Sequence, residues 1–307
     1  MKIKPLTKKS VTVMLFITVV VSPITTVFAA YSPTPAADFL TPQKQEALAT
    51  KREILEEKHK QIEFEALAAV SGAQNALMAF KKNDSKRALV LLNDATKQLN
   101  MVSAKYPESN LVPAIIDAEI YDFDGDTQQV EKLIKKADGL IEDDRIQDAR
   151  QMLDQLVSEV HVTTISVPLG SFSMGVKDAA DIASSGNVEK AEDVLYEVLN
   201  RLVKTTEIMV LPVLKAQGAL KLASKLEHQS NQNQDANKTE ILALFDAAKD
   251  KLKLAALLGY GAKDDYTSLN DAIDNMKDLI FTDKSTEGWN KVIAALSGLE
   301  DRLTRLK

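Results

Sequence analysis

Side chains able to share a metal ion gather in the middle of the chain. Asp122, Asp124 and Asp126 form a DxDxD triplet around Gly125, and Glu159 and His161 stand beside a later Val-rich stretch. Calcium takes oxygen ligands at such density. These five are the candidate metal-ligating residues, to be tested with Ca²⁺ and Zn²⁺. An EF-hand loop is not completed, because the sixth and twelfth places counted from Asp122 hold Thr127 and Leu133 where Gly and Glu are required. The simpler expectation is that Asp124 or Asp126 caps the following helix. His161 is the histidine to watch, although packing accounts for most solitary histidines. His59 falls on a polar helix face, and His228 closes a helix where a cation suits the carbonyl end. None has a His partner at i+3 or i+4, so no local His metal motif exists.

Nucleophilic chemistry finds less support. Gly170-Ser-Phe-Ser-Met-Gly175 approaches a nucleophile elbow, but neither Ser171 nor Ser173 completes GxSxG, and Pro168 sits where a strand should run into the turn. No Ser-x-x-Lys, phosphate loop or dinucleotide fingerprint is found. The expectation is a non-enzymatic protein with no catalytic residue and no cofactor.

Composition narrows the class. The net charge is −6, with 44 acidic and 38 basic side chains. Setting aside Lys2, Lys4, Lys8 and Lys9 makes the remainder more acidic still, which argues against nucleic acid and anionic membrane surfaces as partners. There is no Cys, hence no disulfide framework and no lipid-bearing thiol. Those four lysines precede an apolar run from Val11 to Val21, Pro23 ends it, and Val27 and Ala29 are the small residues of a cleavage site. This layout predicts a signal peptide over 1–29, cut before Ala30. The run is shorter than the roughly 20 residues a spanning helix needs, so no membrane anchor is expected after cleavage.

The supporting elements read as mainly α. A Pro-rich mobile arm occupies 30–41, and Thr41-Pro42 reads as an N-cap with Pro at the first helical position. Leu48, Leu55, Ile62 and Ala69 recur every seventh residue, with Leu77 and Phe80 continuing the stripe. They predict one long helix with an apolar edge, which Gly72 could bend and a second copy could cover. A turn is predicted at 82–85 with a helix after it to about Tyr106, and further helices at about 127–141, 146–159, 169–184, 188–206, 210–229, 240–258, 268–280 and 287–306. Two short extended segments are expected at about 112–123 and 160–167, both β-branched and partly alternating. A helical domain would span 42–229, a polar loop 230–238, and C-terminal helices, packed on the same domain, 239–307.

Three joints share a pattern. Phe80 to Ala88 is followed by Leu92, Ile141 to Ala149 by Leu153, and Ala183 to Ala191 by Leu195. An apolar helix end, a polar turn, and an Ala that admits close packing make an antiparallel helical hairpin. The joints are too unevenly spaced for a tetratricopeptide array, and its Trp-Leu-Gly pattern is missing.

The segments SEVHVTTISVPLGSF (158–172), AADIASSGNVEKAEDVLYEVLNRLV (179–203) and LPVLKAQGAL (211–220) together resemble the YfdX family of bacterial exported proteins. The stretch 111–156 looks like the first half of the same domain, and the likeness runs from about Ala66 to Leu226. It implies a largely helical periplasmic protein expressed under acid or other envelope stress, with no established enzyme activity and no functional residues to carry over. The expected function is stress-related binding or chaperone-like action. The partners would be unfolded periplasmic proteins, or the chain itself through its N-terminal helix. The alternative is a small-molecule or metal-ion binder with a pocket near the Val/Ile-rich segments.

Overall fold

The computed structural model describes residues 41–229 and 234–305; the predicted signal peptide and almost all of the Pro-rich arm lie outside them. The described residues form eleven α-helices and one antiparallel sheet of three strands. In chain order these are α1 (Pro42–His59), α2 (Phe64–Lys81), α3 (Ser85–Lys105), β1 (Leu111–Tyr121), α4 (Thr127–Glu142), α5 (Ile146–Leu153) and β2 (Glu159–Pro168). They continue with α6 (Leu169–Ser184), α7 (Val188–Asn200), β3 (Val203–Val210), α8 (Leu211–Gln229), α9 (Gln234–Leu257), α10 (Thr267–Lys277) and α11 (Ser285–Arg305). The fold is mainly α, as the sequence predicts.

An order emerges that no single joint reveals. Helix, helix, strand occurs three times: α2-α3-β1, α4-α5-β2 and α6-α7-β3. The three turns are built alike. Asn83 (φ 58°), Asp144 (φ 60°) and Gly186 (φ 91°) each take the left-handed conformation five residues before the Ala of their joint. The next residue's N–H then reaches back to the helix that has just ended: Asp84 N to Ala79 O (2.9 Å), Arg145 N to Leu140 O (2.8 Å), Asn187 N to Ile182 O (3.3 Å). This is the 6→1 bond by which a helix C-terminus satisfies an orphan carbonyl. Gly, Asn and Asp occupy the turning position because they tolerate positive φ at least cost.

The sheet has β2 at its centre. Leu169 N donates to Asn110 O, and Leu211 N to Ser158 O, which fixes the register of β2 against both neighbours. On the outer edge of β1, Pro113 has no N–H, and its carbonyl accepts the Glu63 N–H at 3.0 Å.

The chain divides into two compact units. One, the hairpin-pair unit, consists of 51–118 and 161–208; the other, the C-terminal unit, takes 41–50, 119–160 and 209–305 of the described residues. In the hairpin-pair unit α2 packs on α3, α6 on α7, α3 on α6 and α2 on α7. The contact is made by small side chains: Ala66, Ala69, Ala73, Ala76, Ala88, Ala179 and Ala191 are buried around Phe80, Leu92, Phe172 and Leu195. Glycine tightens it further. A Cβ on Gly175 would stand 2.1 Å from Val198 Cγ2, and one on Gly72 would stand 3.2 Å from Ala95 Cβ. In the C-terminal unit α8 packs on α9, α10 on α11 and α4 on α5. The core there is larger-grained, with Phe245 edge-on to Trp289 at 5.6 Å among Leu252, Tyr266, Ile273 and Met276.

Several local expectations are corrected. The long N-terminal helix is broken between His59 and Phe64, not bent at Gly72, which lies inside α2 and serves its contact with α3. The buried edge of α1 is Ala47 and Ile54, one residue off the heptad of Leu48 and Leu55; Leu48 is exposed. A stripe of leucines marks the right helix but not the face that is covered. Thr41 does cap it, its Oγ1 accepting the Lys44 N–H at 3.4 Å. The two extended segments are β1 and β2, but a third strand, β3, stands where the sequence leads one to expect the helices 188–206 and 210–229 almost to meet. Its side chains Lys204–Glu207 are exposed on both faces, so no buried alternation announces it. The expected polar loop 230–238 is already helical from Gln234.

Candidate functional site

A polar cluster in the C-terminal unit centres on a buried lysine. Lys215 is the fifth residue of α8, in the apolar run Leu211-Pro-Val-Leu-Lys-Ala216, and its side chain is only 5% exposed. A buried ammonium must be paired. Its Nζ lies 3.1 Å from Asp122 Oδ2 and 3.7 Å from Glu46 Oε2, and Lys251 Nζ meets the same Glu46 oxygen at 3.1 Å. Ser158 joins from the start of β2: its Oγ donates to Asp122 Oδ1 (3.1 Å), and its N–H donates to the Tyr260 hydroxyl (2.9 Å). Burial pushes the Tyr260 phenol well above its ordinary pKa, the Ser158 N–H opposes this, and the adjacent Glu159 carboxylate raises it again. Helices α1, α8 and α9, the end of β1 and the start of β2 thus converge on one charge network. Its groups are spent on one another: the Ser158 hydroxyl is committed to Asp122, and Asp122 neutralises Lys215. The arrangement is suited to holding elements together.

A second buried carboxylate does similar work. Glu227, near the end of α8, accepts the Phe281 N–H at 2.7 Å through Oε1 and the Trp289 indole N–H through Oε2. Phe281 has φ 62°, so this bond fixes the strained turn between α10 and α11.

The hairpin-pair unit carries a surface cleft of about 300 Å³, lined by Lys60, Gln61, Glu63, Tyr106, Ser109 and Leu111–Pro113. Glu63 lines it, bonded to Lys105 Nζ at 2.7 Å and to the Tyr106 hydroxyl. Lys105 first, then Tyr106, hold the Glu63 carboxyl below its usual pKa.

The predicted ligand residues are spread through these settings. Asp122 and Glu159 both enter the Lys215 network, Asp122 by direct contact and Glu159 through Tyr260. Asp124 is exposed beside the half-buried Gly125. Asp126 caps α4 in a reciprocal box, its Oδ1 accepting Gln129 N at 2.8 Å while Gln129 Oε1 accepts Asp126 N. His161 is half-buried on β2 and falls in the other unit. Among the described residues no three His, Cys, Asp or Glu side chains are grouped to hold a metal ion. His59 is exposed at the end of α1, and the His228 Nδ1 lies 2.7 Å from Ser224 O. Sequence reading misses Lys215, Glu46, Lys251 and Tyr260. Only Lys215 leaves a signal, a lone cation inside an apolar helical run.

Large apolar side chains also stand in the open. In the hairpin-pair unit they include Phe64, Met78, Val90, Met101, Met174 and Tyr196; in the C-terminal unit, Ile141, Ile146 and Leu153. No helix among the described residues is long and apolar enough to cross a membrane.

Comparison with known proteins bears on one part of the chain. Residues 66–208 match the family described as YfdX protein. No curated protein matches the chain. A solved structure, that of Salmonella Typhi YfdX in an orthorhombic crystal form, is similar at 16% identity, over 49% of this chain and 93% of that one, with a TM-score of 0.36. The matched stretch takes in all three helix-helix-strand repeats, from Ala66 in the first turn of α2 to Ile208 in β3, so the similarity to the YfdX family covers the repeats and a little under half of the chain.

Proposed function

We propose that this protein is a non-enzymatic, chaperone-like binder of unfolded polypeptides that works after export to the periplasm. The observation that carries the reading is the set of exposed methionines, Met78 on α2, Met101 on α3 and Met174 on α6, accompanied by Phe64 and Tyr196. Methionine is unbranched and polarizable, so it adapts to many apolar partners, and flexible Met-rich surfaces are used by promiscuous binders. The surrounding acidic surface keeps such a protein soluble while its apolar side chains engage a client. Export is supported by the Lys-flanked apolar leader; N-terminal sequencing of the mature protein should begin at Ala30, and an intact Met1 would remove this part of the reading.

The test is suppression of aggregation. The wild-type chain, equimolar with a chemically unfolded client, should cut light scattering at least twofold at acid and neutral pH. The variant Met78→Ser/Met101→Ser/Met174→Ser should keep its helical content and lose most of that protection. A wild-type protein without effect overturns the proposal.

The cleft at Glu63 favours a second reading, a small-molecule binder. It adjoins the first residues of β1, and Lys60, Gln61 and Ser109 offer polar atoms beside Leu111, Val112 and Pro113. A thermal-shift survey of small anions and metabolites, repeated on Ser109→Trp, would detect it; identical melting shifts in both proteins would place any binding elsewhere.

A further inference from the structure

Three hairpins share one turn, yet among the described residues only two have a mate. Counting from the left-handed residue, three positions are equivalent: Phe80, Ser85 and Leu92 in α2–α3; Ala183, Val188 and Leu195 in α6–α7; Ile141, Ile146 and Leu153 in α4–α5. In the first two hairpins the outer positions are closed, with Phe80 at 1%, Leu92 at 0%, Ala183 at 5% and Leu195 at 0% exposure, and Ser85 and Val188 are half-buried. They are closed because α2–α3 and α6–α7 pack against each other, α3 on α6 and α2 on α7. In the third hairpin all three positions hold large aliphatic residues, and they are 45%, 52% and 42% exposed. Helix α4 contacts α9 and buries Val130 and Ala137, and α5 buries Ala149 alone.

We propose that α4–α5 is an interface for a second copy of this chain, the two hairpins meeting about a twofold axis to form four helices, as α2–α3 and α6–α7 do within one chain. Charge favours a second copy over another partner. The middle of α4 is basic, with Lys132, Lys135 and Lys136 exposed and only Glu131 against them; its end and the following turn are acidic, with Asp138, Glu142, Asp143 and Asp144 exposed. Arg145 is already paired with Asp148 at 2.6 Å. Antiparallel apposition of α4 with its own copy sets each basic stretch against the other's acidic end. A twofold interface must be self-complementary, and this helix is. Aliphatic residues at the hairpin tip supply the apolar contact, and the charges set its direction.

Sedimentation of the full mature chain between about 1 and 100 µM should give a dimer. Leu153→Asp should weaken it by at least about tenfold, equivalent to roughly 1.4 kcal/mol, with an unchanged helical content because the side chain is exposed. Two charge variants make the decisive test. Lys135→Glu/Lys136→Glu and Glu142→Lys/Asp143→Lys should each be monomeric, since like charges then face each other, and mixing them should restore the dimer. A wild-type chain that stays monomeric overturns the proposal. So does a dimer that survives both charge variants, or a mixture that does not reassociate, since either places the second copy elsewhere or assigns the hairpin to another occupant.

Discussion

The hairpin-pair unit and the C-terminal unit are both helical and both well buried, but they are fastened differently. The first brings helices close through alanine and glycine. Among the described residues its interior has no buried ion pair; its specificity is steric, written in how little room Gly175 and Gly72 leave to Val198 and Ala95. The second uses bulkier residues, which pack less uniquely, and adds polar ties at Lys215 and Glu227. Small residues fix geometry by excluding volume, whereas buried charges fix it by penalising any arrangement that leaves them unpaired. A core of one kind should therefore fail on enlargement, and a core of the other on truncation or loss of a partner.

The largest effect is expected where both devices of the C-terminal unit meet. Trp289→Ala removes the ring against Phe245 and one of the donors to Glu227, and should lower stability by about 3–5 kcal/mol in urea denaturation. Lys215→Met comes next, at about 3 kcal/mol, because Asp122 loses its cation. Adding Asp122→Asn should recover more than half of that loss. If the double variant is no more stable than the single one, the network is not a charge tie. In the hairpin-pair unit the opposite operation matters. Gly175→Ala should cost about 1–3 kcal/mol by overpacking, and Val198→Ala in the same chain should offset part of it; additive losses would disprove the steric account. Glu63 should show the smallest effect, visible only against pH. Its carboxyl is held low by Lys105 and Tyr106, so its contribution is complete above the ordinary carboxylate pKa and disappears as the pH falls through the lowered value. The stability difference between wild type and Glu63→Gln should therefore shrink on acidification, and a constant difference would rule the linkage out.

Much of this contrast is legible in residue types before any coordinates. The three joints are visible because an Ala followed four residues later by Leu marks the packed side of the second helix, and a Gly, Asn or Asp falls in each turn. Their equivalence to one another becomes complete only with the strands. β1 and β2 are legible through Val112, Ala114 and Ile116 and through Val160 and Val162, whose alternation follows burial. β3 is not, since VKTTEIMV has a β-branched start but no covered face. The candidate ligands are correctly singled out as polar and clustered, but the sequence does not say that Asp126 turns to its own helix or that Asp122 meets a lysine ninety-three residues away. Long-range pairing of that kind has no local period, and only the odd placement of Lys215 hints at it. The face of α1 is misread because leucine outweighs alanine in any hydropathy pattern, whereas burial chooses Ala47 and Ile54.

The boundary between the units falls within α1 and within each of the three strands, so the chain passes from one to the other four times. Synthesis runs from the N-terminus, and a unit assembled from separated stretches must wait for its last one. The hairpin-pair unit lacks its third strand until Ile208 has emerged, and the Lys215 network lacks Lys251 and Tyr260 for some fifty residues more. Residues 66–208, expressed as a fragment, would carry α4 and α5 without the α9 on which α4 rests. The stretch that matches the family is thus not a piece that can be cut out and expected to stand, and a newly made chain stays open to proteases, and to its own neighbours, until nearly its whole length has been synthesised.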